Sequence, residues 1–180
     1  FIIREINAKS ILTKSGIPGI DYCINPYVGC FHGCRYCYAT FMKRFTGHHE
    51  LWGSFVDVKI NAPLILQKQL TRARRGNVLI SSVTDGYQPI ESKYKLTRQC
   101  LEVLLEYQFP VDILTKSPLV LRDMDIMKRF KEIEVGLTIT TDNENMRKIF
   151  EPHAPPASER IKALKTLHDH GIKTYAFIGP

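Results

Sequence analysis

Short apolar, β-branched runs alternate with helix-like segments along most of the chain, and this alternation limits the folds that the chain can adopt. Five runs, each bounded by turn or charged residues, indicate buried strands at 21–28, 77–83, 111–115, 133–139 and 174–178. Four segments between them carry apolar residues at helical spacing, at 61–74, 95–107, 122–130 and 156–171. This order predicts βα units around a parallel sheet or barrel.

Two of these segments need separate comment. The run "FVDVKIN" (55–61) is ambiguous between an extra strand and a loop. In the last helical segment, Ile161, Leu164 and Leu167 form the predicted apolar stripe, and Gly171 is placed to end the helix.

The length of 180 residues favours one domain, since it suffices for one full-sized domain and is short for two. The sequence has no internal repeat and no clear linker. We therefore expect a single domain over residues 1–180, with 1–20 as a leader segment. The chain opens on Phe1 and stops on the strand-like "KTYAFIGP", so we also expect a fragment whose C-terminal part is missing.

Cysteine usage and charge bear on the compartment and the partners. Five cysteines is an odd number and three of them are crowded together, which argues against disulfides and favours a reducing, cytoplasmic setting. No apolar run approaches the roughly 20 residues of a membrane helix. The net charge of +7 invites a nucleic-acid partner, but the basic residues are spread along the chain. Charge alone therefore decides nothing.

Polar or reactive residues follow most of the predicted strands. The crowded cysteines come after the first strand, "TDGYQPIE" after the second, "KS" after the third and "TTD" after the fourth. In parallel α/β folds, ligands bind just beyond the carboxyl ends of the strands. The sequence therefore predicts an active-site rim at that edge of the sheet.

Cys30, Cys34 and Cys37 lie in "CFHGCRYC" with the spacing C-x3-C-x2-C. A structural zinc site would need a fourth ligand, from Cys23, Cys100 or a histidine. A redox dithiol would use only the last two cysteines of the motif and leave the first unexplained. Three thiolates can instead hold three corners of a [4Fe-4S] cluster, with one iron left open for a substrate or cofactor.

The motif "CFHGCRYC" resembles the C-x3-C-x-Φ-C signature of radical S-adenosylmethionine enzymes, with Tyr36 as the aromatic Φ. Four segments further resemble the spore photoproduct lyase-like group, often called DNA repair photolyases: "NPYVGCFHGCRYCYA", "SSVTDGYQPIE", "LTKS" and "EPHAPPASERIKALKTLHDHGIKTYAFIGP". The resemblance implies an α/β fold, a partial (β/α)6 TIM-type barrel of parallel strands that is truncated here after the fifth strand.

The resemblance also implies cofactors and partners. In this family a reduced [4Fe-4S] cluster cleaves S-adenosylmethionine to a 5′-deoxyadenosyl radical, which abstracts hydrogen from a substrate. A reductase, flavodoxin or ferredoxin would donate the electron, and a nucleic-acid base is a candidate substrate. The alternative is a non-catalytic iron-sulfur or zinc protein that binds nucleic acid. Polar residues after several strands favour the enzyme, because a structural metal site does not need them.

Individual residues take roles from the same resemblance. The cluster ligands would be Cys30, Cys34 and Cys37. The residues that would contact S-adenosylmethionine are Tyr36, Ser82, Thr84, Asp85, Lys116, Thr138, Thr140 and Glu151. Among these, Tyr36 would lie near the adenine and Glu151 near the ribose. Asp85 would meet the amino group, and Lys116 the carboxylate.

Ser82 departs from the lyase pattern. Photoproduct lyases carry a cysteine there, three residues before an aspartate, which returns a hydrogen atom to the repaired thymine. A serine O–H bond is too strong for easy hydrogen donation. We therefore expect radical chemistry from this chain but not photoproduct repair, and the sequence assigns no catalytic residue.

Overall fold

The computed structural model describes residues 1–179, which form two sheets and six α-helices. The strands are β1 (Ile2–Ile6), β2 (Leu12–Lys14), β3 (Tyr22–Ile24), β4 (Tyr27–Val28), β5 (Phe55–Lys59), β6 (Val78–Ile80), β7 (Val111–Thr115), β8 (Ile133–Thr138) and β9 (Lys173–Phe177). The helices are α1 (Ala62–Leu70), α2 (Glu91–Tyr94), α3 (Leu96–Tyr107), α4 (Met124–Met127), α5 (Glu144–Phe150) and α6 (Ala157–Asp169). Two 3₁₀ helices span Tyr38–Phe45 and Pro118–Asp123.

The larger sheet has the order β2-β3-β6-β7-β8-β9. All strands from β3 to β9 in this sheet run parallel, and β2 adds to β3 in the antiparallel direction. The prediction of an α/β fold around a parallel sheet is therefore confirmed. Four of the parallel strands also match predicted runs in position, with small differences at their ends, and β3 occupies the first half of the predicted run 21–28.

One face of this sheet carries the hydrophobic core. Ile24, Ile80 and Ile113 are fully buried there and pack with Leu66 of α1 and Leu101 of α3. Burying one such side chain stabilises the fold by about 1.5–3 kcal/mol relative to leaving it exposed. This core fixes the strands, and so fixes the loops that follow their carboxyl ends.

Residues 1–20 contribute strands to both sheets, so the expected leader segment is structured. β1 pairs with β5 in parallel, and β2 pairs with β3. The smaller sheet has the order β1-β5-β4, which shows that the ambiguous run 55–61 is a strand. The predicted first strand divides at Pro26, which has no N–H to donate to a ladder. Its two halves, β3 and β4, join different sheets.

Three helices differ from the sequence prediction in presence or orientation, and one of them, α2, was not predicted. α5 was not predicted, although Asn143 caps it by accepting from the backbone N–H groups of Asn145 and Met146. α6 is rotated relative to the predicted stripe, because Ile161 is 51% exposed whereas Arg160 is fully buried. Within residues 1–179, no helix combines the length and the apolar character that a membrane crossing requires.

Candidate active site

The cysteine loop, residues 29–37, leaves β4 through two glycines with positive φ. Gly29 has a φ of +88° and Gly33 a φ of +59°. A Cβ atom at Gly29 would lie 2.4 Å from the carbonyl oxygen of Phe55, and Gly33 packs against Gly53. Only glycine allows backbone segments to approach this closely. The sequence therefore folds the loop tightly against β5.

We expect Gly29→Ala to destabilise the protein by on the order of 3 kcal/mol, from backbone strain together with overpacking against Phe55. Urea unfolding followed by circular dichroism measures this cost. Gly16→Ala is the matched control, since nothing lies within 4 Å of a Cβ at that position, and we expect a change of under about 1 kcal/mol. Equal midpoints for the two variants would contradict the tight approach.

The three thiols of the loop are largely enclosed. Cys30 and Cys34 are buried, and Cys37 is partly exposed. Burial raises the pKa of Cys30 and of Cys37. It also raises the pKa of Cys34 to about 11, although the nearby Lys116 acts in the opposite direction. These thiols are therefore protonated at neutral pH until a cation stabilises their thiolates.

The donor chemistry of the loop fits an iron-sulfur cluster. Three soft sulfur donors lie within one glycine-bounded loop, and thiolates are the usual ligands of such clusters. Among residues 1–179, His, Cys, Asp and Glu side chains nowhere converge in a group of three that could hold a metal ion. The fit therefore rests on the types and spacing of the donors.

Asp85 lies under the loop and both of its carboxylate oxygens are engaged. Oδ1 accepts from the Thr115 hydroxyl at 2.7 Å and from the Tyr87 backbone N–H at 2.9 Å. Oδ2 accepts from the Lys116 backbone N–H at 2.8 Å and lies 3.1 Å from Nε2 of His32. Burial would raise the pKa of Asp85, but His32 and the hydrogen bonds outweigh it and the pKa is lowered. This carboxylate ties the cysteine loop to the ends of β6 and β7.

Tyr36, Lys116 and Glu151 meet beside the loop. The Tyr36 hydroxyl donates to Oε1 of Glu151, and Nζ of Lys116 lies 3.9 Å from that same oxygen. Nζ also lies 5.7 Å from the centre of the Tyr36 ring. Burial and Glu151 raise the pKa of Tyr36, so its hydroxyl keeps the proton that it donates. Three of the predicted site residues are thus brought together.

Ser82 and Thr84 also contact the loop region. Thr84 donates to the Gly29 carbonyl at 2.6 Å, and the Ser82 hydroxyl accepts from Asn25 at 3.1 Å. The Ser82 carbonyl accepts from Tyr38, just after the loop. Thr138 is buried at the end of β8, and Thr140 lies two residues further on and is partly exposed. Neither threonine side chain has a hydrogen bond that joins it to this group in the described part of the chain.

Sequence reasoning missed two buried residues of this region. His32 could not be distinguished from a solvent-facing loop histidine, yet it is 1% exposed. Arg160 was not singled out in the sequence, yet it is fully buried and pairs with Glu151. Ala157, Arg160 and Ala163 recur at every third position and share the buried, inner face of α6. This spacing was a usable signal that Arg160 faces inward.

Comparisons with known proteins identify the family. A family model described as the radical SAM superfamily matches residues 24–179. An uncharacterized protein of Methanocaldococcus jannaschii is 48% identical over 179 residues, which are 99% of this chain and 67% of that protein. A radical SAM Nalpha-GlyT isomerase of Pseudomonas phage M6 is 26% identical over 86% of this chain and 32% of its own length.

Solved structures of spore photoproduct lyase share the fold. The lyase complexed with dinucleoside spore photoproduct superposes with a TM-score of 0.77 at 16% identity, over 99% of this chain and 51% of the lyase. A mutant lyase with bound AdoMet and the same photoproduct gives a TM-score of 0.75 at 17% identity, over 99% of this chain and 50% of the lyase. The chain therefore spans about half the length of these structures. Because the radical SAM family model matches most of its length, the chain belongs to the radical SAM superfamily.

Proposed function

We propose that this chain forms the core of a radical S-adenosylmethionine enzyme in which Cys30, Cys34 and Cys37 hold a [4Fe-4S] cluster. When bound, the cluster and S-adenosylmethionine supply a 5′-deoxyadenosyl radical that abstracts hydrogen from the substrate. The observation that carries this proposal is the cysteine loop itself. Two of its thiols are buried and the third is partly exposed, and Lys116 and Tyr36 lie near that of Cys34.

The chain's own residues would bind and orient the cofactor. The ammonium group of Lys116 suits the carboxylate of S-adenosylmethionine, and the ring of Tyr36 suits its adenine. Thr138 and Thr140 offer short polar side chains at the end of β8. Contact of Asp85 with the amino group of the cofactor stays a prediction. Asp85 already has four hydrogen-bond partners, and one of them would have to be displaced.

The substrate class that we propose is a nucleic-acid base. One structural neighbour supports it by what its title states, a lyase complexed with dinucleoside spore photoproduct. The surface after the cysteine loop is also suitable. Tyr38 and Phe45 are 66% and 75% exposed on the 3₁₀ helix that carries Lys43 and Arg44. Exposed aromatic rings beside cations are typical of surfaces on which bases stack.

Deuterium transfer tests the reaction and the substrate class together. The full-length protein is reconstituted anaerobically with iron and sulfide. It is then given S-adenosylmethionine and oligonucleotides deuterated on their bases. Dithionite supplies the electron in place of a reductase, flavodoxin or ferredoxin. We expect deuterium in the 5′-deoxyadenosine that forms, detected by mass spectrometry. Formation of 5′-deoxyadenosine without deuterium from any oligonucleotide would remove a nucleic-acid base as the source of the abstracted hydrogen. A stable cluster with no cleavage would favour a non-catalytic iron-sulfur protein instead.

A further inference from the structure

A short stretch of chain, residues 150–154, lies directly behind the cysteine loop, and we name it the backing segment. The Arg35 backbone N–H donates to the Phe150 carbonyl at 2.8 Å, and the His153 N–H donates to the His32 carbonyl at 3.3 Å. These two bonds connect the backing segment to the loop between its first and last cysteines. The position of the loop therefore depends on what fixes the backing segment.

A buried ion pair helps to fix this segment, together with Arg147, whose Nη1 donates to the carbonyls of Glu151 and Ala154 at 2.9 and 2.6 Å. Glu151 and Arg160 are both fully buried, and Nη2 of Arg160 donates to Oε2 of Glu151. Arg160 also donates from Nη1 to the Thr138 carbonyl at 3.0 Å and from Nε to the Pro155 carbonyl at 2.9 Å. The guanidinium thus joins the end of β8, the turn before α6 and the backing segment at one point.

The other oxygen of Glu151 faces the site. It accepts from the Tyr36 hydroxyl, and it lies 3.9 Å from Nζ of Lys116. Both carboxylate oxygens are therefore committed to partners within the protein. Glu151 therefore acts on the site through Tyr36 and Lys116, and its direct contact with the ribose stays a prediction.

Stability alone is a weak reason to keep such a pair. Taking two charges out of water costs free energy, and apolar residues of similar volume often stabilise a fold as well or better. A buried pair does, however, hold its hydrogen-bond partners in one geometry. We propose that Glu151 and Arg160 are positioning residues, which hold Tyr36 and Lys116 in the orientation that S-adenosylmethionine binding requires. This inference rests on the proposed function.

The test uses the double variant Glu151→Gln/Arg160→Met of the full-length protein. Removing one partner alone would leave a buried charge unpaired and risk unfolding, whereas the double variant removes both charges and keeps similar volumes. The matched control is Asp169→Asn, which breaks an exposed pair with Lys165 on the same helix. Circular dichroism confirms that both variants are folded before any comparison.

Hydrogen exchange of the metal-free protein is the first readout, because it does not depend on the cluster. We expect the amides of residues 31–38 to exchange roughly tenfold faster in the double variant, with β6 and β7 unchanged from the control. Unchanged exchange in the loop, or equally faster exchange throughout the protein, would overturn the positioning role.

Binding of S-adenosylmethionine to the reconstituted protein is the second readout. We expect the double variant to keep its iron but to bind S-adenosylmethionine with an affinity at least about tenfold lower. We also expect it to lose the change that S-adenosylmethionine causes in the electron paramagnetic resonance spectrum of the reduced cluster. Control-like affinity in the double variant would overturn the inference. The wild-type protein could bind no cluster while the loop amides of the double variant still exchange faster, as expected. In that case the proposed function fails and the positioning of the loop stands.

Discussion

Cys34→Ala is expected to abolish cluster binding and leave the fold intact. Iron bound per chain after anaerobic reconstitution falls from about four to background, because two remaining thiolates hold a [4Fe-4S] cluster poorly. The fold persists because Cys34 lies in the loop, outside the main core cluster of buried side chains. Iron and sulfide analysis, visible absorption and circular dichroism measure these effects on the same sample.

Cys100→Ala is the matched control for this experiment. Cys100 is also a free, buried cysteine, but it lies in α3 among core leucines. We expect this variant to keep the full iron content and to lose only about 1 kcal/mol of stability, as small buried truncations do. Full iron in Cys34→Ala, or loss of iron in Cys100→Ala, would show that the ligands are not those of the loop motif.

Asp85→Asn should destabilise the protein by about 3 kcal/mol at pH 7, because an amide cannot accept as many hydrogen bonds and loses the interaction with His32. The effect is large because Asp85 is buried and has four partners. Asp125→Asn is the control, since Asp125 pairs with Arg98 at 2.8 Å but is 63% exposed. We expect that exposed pair to contribute at most about 1 kcal/mol.

The pH dependence of this difference follows from the sign of the pKa shift. The pKa of Asp85 is lower in the folded protein than in the unfolded chain. The ionised carboxylate therefore contributes its full stabilisation of the fold above the unfolded-state pKa of about 3.9. It is lost as the pH falls through the lowered folded-state value. Urea unfolding should therefore show a constant difference in the free energy of unfolding between wild type and Asp85→Asn from about pH 7 to pH 5. This difference should become smaller below about pH 4. A gap that widens on acidification would contradict the lowered pKa.

The sequence predicted the parallel strands well because each is a short apolar run with clear boundaries. It predicted the amino-terminal part poorly, since β1 has mostly exposed residues and β2 is only three residues long. Neither strand has the alternation or the apolar content of a core strand. The pairing of β1 also depends on β5, a partner distant in the chain, which local sequence patterns do not encode.

The candidate site was predicted in part. The resemblance of the chain to the radical SAM superfamily is confirmed, and Tyr36, Lys116 and Glu151 do lie together. Their individual roles toward the cofactor remain predictions. The partner of Glu151 was not foreseen, because an arginine within a charged helical segment ordinarily faces solvent. Its burial follows from the rotation of α6, which tertiary packing determines.

The most direct measurement is reductive cleavage of S-adenosylmethionine by the reconstituted full-length protein, with dithionite as the electron source and Cys34→Ala as the comparison. Our account predicts that 5′-deoxyadenosine and methionine form with the wild-type protein and fall to background with the variant. The reaction should also stop when the cluster is removed. Stoichiometric zinc in place of a cluster, or cleavage that is equal in both proteins, would contradict the assignment of Cys30, Cys34 and Cys37 as the ligands of a radical enzyme.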